Sequence, residues 1–107
     1  MTLEGSRDTW RTPPVDDLCD AFLCLQSREE VGAFLRDLCT AAELEAMAHR
    51  LAAARLLDTG LPYYQVAERV GGSTTTVTRV AQWLRRGEGG YRLVLDRTAS
   101  SDAEGQG

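Results

Sequence analysis

Residues 70 to 79 read VGGSTTTVTR: two glycines, then Ser73, Thr74, Thr75 and Thr76 in a row, then Thr78 and Arg79, with Gln82 and Arg86 following at helical spacing. Hydroxyls and amides both donate and accept hydrogen bonds, and a guanidinium grips phosphate or carboxylate oxygens in pairs. Such a set suits a polar, anionic partner, and it contains no nucleophile with an adjacent base. β-Branched residues are indifferent helix formers, so three consecutive threonines at a helix start call for a reason other than propensity.

The elements that must position these groups follow from spacing. Tyr64 to Val70 is expected as a short helix with Val66, Ala67 and Val70 facing inward, and Gly71 stands where a tight turn takes positive φ. Ser73 then caps a second helix through about Arg86, with Val77, Val80, Ala81 and Leu84 inward. Two short helices joined by a glycine turn, with the small Ala67 where they cross, make a helix-turn-helix over about residues 63–86. At about 100° per residue, the inward stripe leaves Thr75, Arg79, Gln82 and Arg86 pointing outward, flanked by Thr74 and Thr78.

The first turn of the second helix in such a motif enters the DNA major groove. There hydroxyls meet base edges or phosphates, and a threonine methyl can touch the thymine methyl. The positive N-terminal end of the helix also favours a phosphate. The expected DNA-binding residues are Gln65, Ser73, Thr74, Thr75, Thr78, Arg79, Gln82 and Arg86, and the expected partner is double-stranded DNA.

A net charge of −4 looks wrong for that partner until it is divided along the chain. Residues 1–49 carry 4 Arg against 10 acids, residues 50–97 carry 8 Arg against 4 acids, and residues 98–107 carry 2 acids. The halves therefore differ in sign, and the basic half holds the motif. Every basic residue is Arg, which favours paired contacts to phosphate over point contacts.

The remaining segments predict an all-α chain of about six helices. Residues 1–14 and 98–107 lack apolar periodicity and are expected as disordered tails around a domain of residues 15–97. A first helix of about 16–26 carries Leu18, Phe22 and Leu25. Ser27 and Glu30 have capping-box spacing and open a second helix with Val31, Phe34, Leu35 and Leu38 on one stripe. Thr40 and Glu43 repeat the pattern before a third helix that carries Leu44, Met47, Ala48 and Leu51 and runs to about Asp58, stopped by Gly60 and Pro62. Cys19, Cys24 and Cys39 have no zinc-ligand spacing and are expected as buried, reduced thiols, so no metal or cofactor is called for. No apolar run approaches the roughly 18 residues of a membrane span, and the N-terminus does not look like a signal peptide, so a cytoplasmic location is expected.

From Leu38 to Arg97, the stretches LCTAAELEAMAHRL, GLPYYQVAERVGGSTTTVTRV and GEGGYRLVLDR resemble the Trp repressor superfamily, and more closely its YerC/YecD-type branch. The stretch LCLQSREEVGAFLRDLCT extends the likeness. The resemblance implies an intertwined homodimer joined through the N-terminal helices, presenting two helix-turn-helix units to DNA. In the tryptophan-sensing member, the ligand's indole lies between two arginines beside a threonine; by alignment these positions are Arg50, Arg79 and Thr40, the possible effector-binding residues. The residue after the second arginine is glycine in that protein and Val80 here. This departure argues against L-tryptophan as effector and leaves open a small anion, or no effector at all with Arg50 and Arg79 as a phosphate contact and an ion-pair partner.

No enzyme is expected: the carboxylates are scattered, no catalytic triad pattern occurs, and VGGSTTT lacks the lysine and preceding strand of a phosphate-binding loop. The leading expectation is a sequence-specific regulator of transcription, a repressor. A reading from another class is a helical protein-interaction module, an anti-regulator with a vestigial helix-turn-helix whose acidic half meets a protein partner.

Overall fold

The computed structural model describes residues 9–106, which form six α-helices: α1 (Pro13–Leu23), α2 (Arg28–Leu38), α3 (Ala41–Asp58), α4 (Tyr63–Val70), α5 (Thr74–Arg86) and α6 (Gly90–Gln106). Among the described residues there is no strand, and no helix is long and apolar enough to cross a membrane. The chain divides into two compact units, residues 1–41 and 42–107.

In the first unit, α1 begins and ends about three residues earlier than periodicity alone predicts. Pro13 and Pro14 sit in the first turn, where a missing N–H leaves no bond unmade, and the Thr12 hydroxyl accepts from the Val15 N–H at 3.4 Å. Of the tail expected over residues 1–14, residues 1–8 lie outside the described residues and Pro13 already belongs to α1. At α2, Ser27 Oγ accepts from the Glu30 N–H at 3.1 Å, while the Glu30 carboxylate accepts from the N–H of Gln26, one residue before the cap, at 2.8 Å. This is the capping box with its return bond moved one residue outward. Phe22 and Phe34 meet edge to face with centroids 5.2 Å apart.

Neither helix of this unit contains a buried residue. Cys19 and Cys24 are exposed and Cys39 is half-buried, all three as free thiols. The expectation that the cysteines are buried fails on Cys19 and Cys24, because these helices enclose no core of their own within one chain.

The second unit does have a core, made of Ala53 and Ala54 from α3, Val66 and Ala67 from α4, Val77 and Val80 from α5, and Leu95 from α6. Of the stripe expected on α3, Leu51 packs against this core and Leu44 is half-buried, whereas Met47 and Ala48 are exposed and the fully buried positions are Ala53 and Ala54. α3 ends at Gly60, whose φ of 93° accommodates the left-handed turn, with Leu61 N–H reaching back to the Leu56 carbonyl.

α6 extends through residues 98–106, which were expected as a disordered tail. No proline interrupts this stretch, and Thr98 is tied on both sides, donating to the Val94 carbonyl at 2.7 Å and accepting from Arg55 at 2.8 Å. Arg92 anchors the helix start, holding Asp58 with two bonds of 2.9 Å and Asp96 on its own helix. The Arg92 guanidinium keeps the Asp58 carboxyl below the usual carboxylate range, and the two carboxylates raise the Arg92 pKa in turn.

Candidate nucleic-acid interface

The helix-turn-helix forms because each local signal agrees with its neighbours. Val66 and Ala67 bury one face of α4; Val77, Val80 and Ala81 bury the facing side of α5. Between them Gly71 adopts φ 74°, ψ 25°, and its N–H and that of Gly72 both reach the Ala67 carbonyl, at 3.0 and 3.1 Å. A side chain at Gly71 would be strained by that backbone whatever the surrounding space.

The expected contact residues fall into distinct groups once their bonds are known. Thr75, Arg79, Gln82 and Arg86 are all exposed along one side of α5, opposite the buried valines. Thr74 and Thr75 carry hydroxyls without a partner among the described residues. Ser73 is committed to the cap, accepting from the Thr76 N–H and donating to the Thr76 hydroxyl, both at 3.2 Å. Thr78 donates to the Thr74 carbonyl at 2.9 Å, so toward an outside group it can only accept a hydrogen bond or present its methyl. Gln65 is half-buried, and its amide donates to the Tyr64 hydroxyl at 3.2 Å.

Two aromatic residues escaped the sequence reading. Tyr64, in the first turn of α4, is 61% exposed, and Trp83 is 50% exposed. Trp83 could have been found by spacing: it follows Arg79 by one helical turn and so lies on the flank of the outward row. Tyr64 has no such signal, because its apolar ring beside Val66 and Ala67 does not distinguish an inward from an outward residue.

The possible effector residues lie in different elements. Arg50 is half-buried in α3 and Arg79 is exposed on α5, whereas Thr40 belongs to the first unit. Val80, the residue where the sensing repressor has glycine, has no accessible surface and belongs to the core. A separate open cleft of about 540 Å³ lies between the end of α3, the start of α4, α5 and α6, floored by Leu57, Leu61 and Leu84 and edged by Arg85 and Arg92. Neither Arg50 nor Arg79 lines it.

Comparison with known proteins gives a consistent set of likenesses. The family model described as Trp repressor protein matches residues 14–99. The Bacillus subtilis protein YerC is 36% identical over 97 residues, covering 91% of this chain and 93% of its own length. Among solved structures, a Staphylococcus aureus protein described as a candidate Trp repressor superposes with a TM-score of 0.80 at 36% identity, covering 86% of this chain and 92% of its own. A TrpR-like protein from Eubacterium eligens does so with the same TM-score at 33% identity, covering 86% and 95%.

Proposed function

We propose that this chain, which belongs to the Trp repressor family, is a transcriptional regulator that binds double-stranded DNA sequence-specifically as a homodimer and acts as a repressor. The observation that carries this reading is the exposed row of Thr75, Arg79, Gln82 and Arg86 on α5, backed by buried Val77, Val80 and Ala81 and held against α4 by the left-handed Gly71 turn. In this geometry α5 lies in the major groove. Thr74 and Thr75, at its N-terminal turn, face base edges, and Gln82 and the arginines serve base or phosphate acceptors further along. Ser73 and Thr78 shape the helix start and make at most secondary contacts.

The dimer is formed through the apolar faces of α1 and α2 and places two copies of α5 about one DNA turn, roughly 34 Å, apart, so the operator is expected to be palindromic. On this reading the protein works in the cytoplasm beside the chromosome and is a regulator, not an enzyme. Arg50 and Arg79 are left for phosphate or a small anion. L-Tryptophan is not the effector, because Val80 fills the space that glycine leaves in the sensing repressor.

The test is binding to a pool of random duplexes across a salt series, followed by selection of the bound sequences. Each phosphate neutralised should contribute about −0.9 to the slope of log affinity against log salt, and selection should enrich a two-fold symmetric site. Salt-independent capture without sequence enrichment would refute the reading and favour a protein partner instead.

A further inference from the structure

We propose that Tyr64, and not Gln65, is the side chain through which α4 meets DNA: its phenol donates a hydrogen bond to a backbone phosphate, and Gln65 is the positioning residue that aims it. The inference rests on the DNA-binding reading above and adds to it a residue and a type of contact. The starting observation is the hydrogen bond from Gln65 Nε2 to Tyr64 Oη, at 3.2 Å. Adjacent residues on a helix do not face each other, so for these two side chains to meet, each must lean toward the other and give up rotamer freedom. Gln65 is half-buried and Tyr64 is 61% exposed, and the bond between them lies at the surface, so the phenol is held where an outside group can reach it.

The chemistry of the pair then selects the partner. The amide N–H occupies an acceptor position on the phenol oxygen, and the phenol's own O–H is left to point outward as a donor. An outward-facing donor needs an acceptor, and phosphate oxygens at neutral pH are mostly acceptors. Position agrees with chemistry: in a helix-turn-helix the first helix crosses the sugar–phosphate backbone while the second reads bases, and Tyr64 lies in the first turn of α4. The candidate row on α5 therefore gains a clamp from α4 that carries no charge.

That neutrality gives the proposal a distinctive signature. An arginine that meets a phosphate releases a counterion and steepens the salt dependence, whereas a phenol does not. The experiment measures affinity of the full-length protein for a selected operator and for an unrelated duplex, each across a salt series. Tyr64→Phe should weaken binding to both duplexes by about three- to tenfold, the range of one neutral hydrogen bond, with the salt slope unchanged. Arg79→Ala, as the charged contrast, should flatten the slope by about 0.9 if it meets a phosphate. Gln65→Met keeps the size of the side chain and removes the donor. It should weaken the wild-type protein and have little further effect in the Tyr64→Phe background, with unfolding midpoints unchanged throughout.

Undiminished binding by Tyr64→Phe, a loss confined to the operator, or equal losses from Gln65→Met in both backgrounds would each overturn the proposal. Failure of the wild type to bind either duplex in a salt-dependent way would instead remove the DNA-binding reading beneath it.

Discussion

In α1 and α2 no residue is buried, and Leu23 stands 82% exposed with Leu18 and Leu38 also in solvent; from Ala42 onward, eight apolar residues are sealed from water. α1 and α2 are short and amphipathic, and so are α4 and α5, so local propensity does not explain the difference. What differs is whether the apolar faces are covered within their own unit. Two 11-residue helices are too short to be stable alone in water. Their exposed faces, like their half-buried Phe22 and Phe34, call for cover from outside, whereas the second unit carries its own core. On the proposed function, the first region serves association and the second holds the helix-turn-helix.

The largest effect should come from attacking the uncovered region. Phe34→Asp removes one ring of the Phe22–Phe34 contact, and in a symmetric pair the loss counts twice, at about 3 to 5 kcal/mol per protomer. Sedimentation should show wild-type dimers and a variant of chain mass, 11.7 kDa. A variant that sediments like the wild type would break the comparison. Val80→Gly attacks the covered region instead, at about 3 kcal/mol for the lost burial and the added helix glycine. Because this core lies within the chain, unfolding should show a similar loss at every protein concentration.

A smaller effect sharpens the role of the reading head. Thr75→Ala should change base preference by roughly 1 to 3 kcal/mol at one operator position while leaving stability intact. Equal weakening on all duplexes would move Thr75 to the phosphate contacts. Smaller again is the pH dependence of the Asp58–Arg92 link. Asp58 titrates below its ordinary value, so its contribution is complete above about pH 4 and is lost as pH falls through the lowered folded-state value. Urea midpoints should therefore fall on acidification, and Asp58→Asn should flatten that fall. The smallest expected response is none at all: on the proposal that Val80 fills the effector space, millimolar L-tryptophan should leave DNA affinity unchanged, as binding curves with and without it would show.

The reading head was legible from sequence because its signals are local: Gly71 at the turn, Ser73 at the cap, and valines at helical period. The first unit was legible as helices but not as a surface, since whether Cys19 or Leu38 is buried depends on what lies across from it, which a stripe pattern does not reveal. Pro13 and Pro14 look like part of a tail by composition, yet proline suits a first helical turn, where no N–H bond is lost. Residues 98–106 look loose by composition, yet α6 continues through them, from a start held by contacts that sequence separation hides. Tyr64 was missed because the exposure of an aromatic ring is decided by tertiary packing.

The link between Asp58 and Arg92 joins residues 34 apart, and the whole helix-turn-helix lies between them. In folding terms it closes a loop around α4 and α5. Those two helices can meet quickly, being separated by a three-residue turn, but the loop closes only when α6 returns to the end of α3. Amide exchange should therefore find α4 and α5 opening together as one cooperative unit whose lifetime is set by α6. The residues proposed to touch DNA would then owe their persistence to a clasp that is not among them.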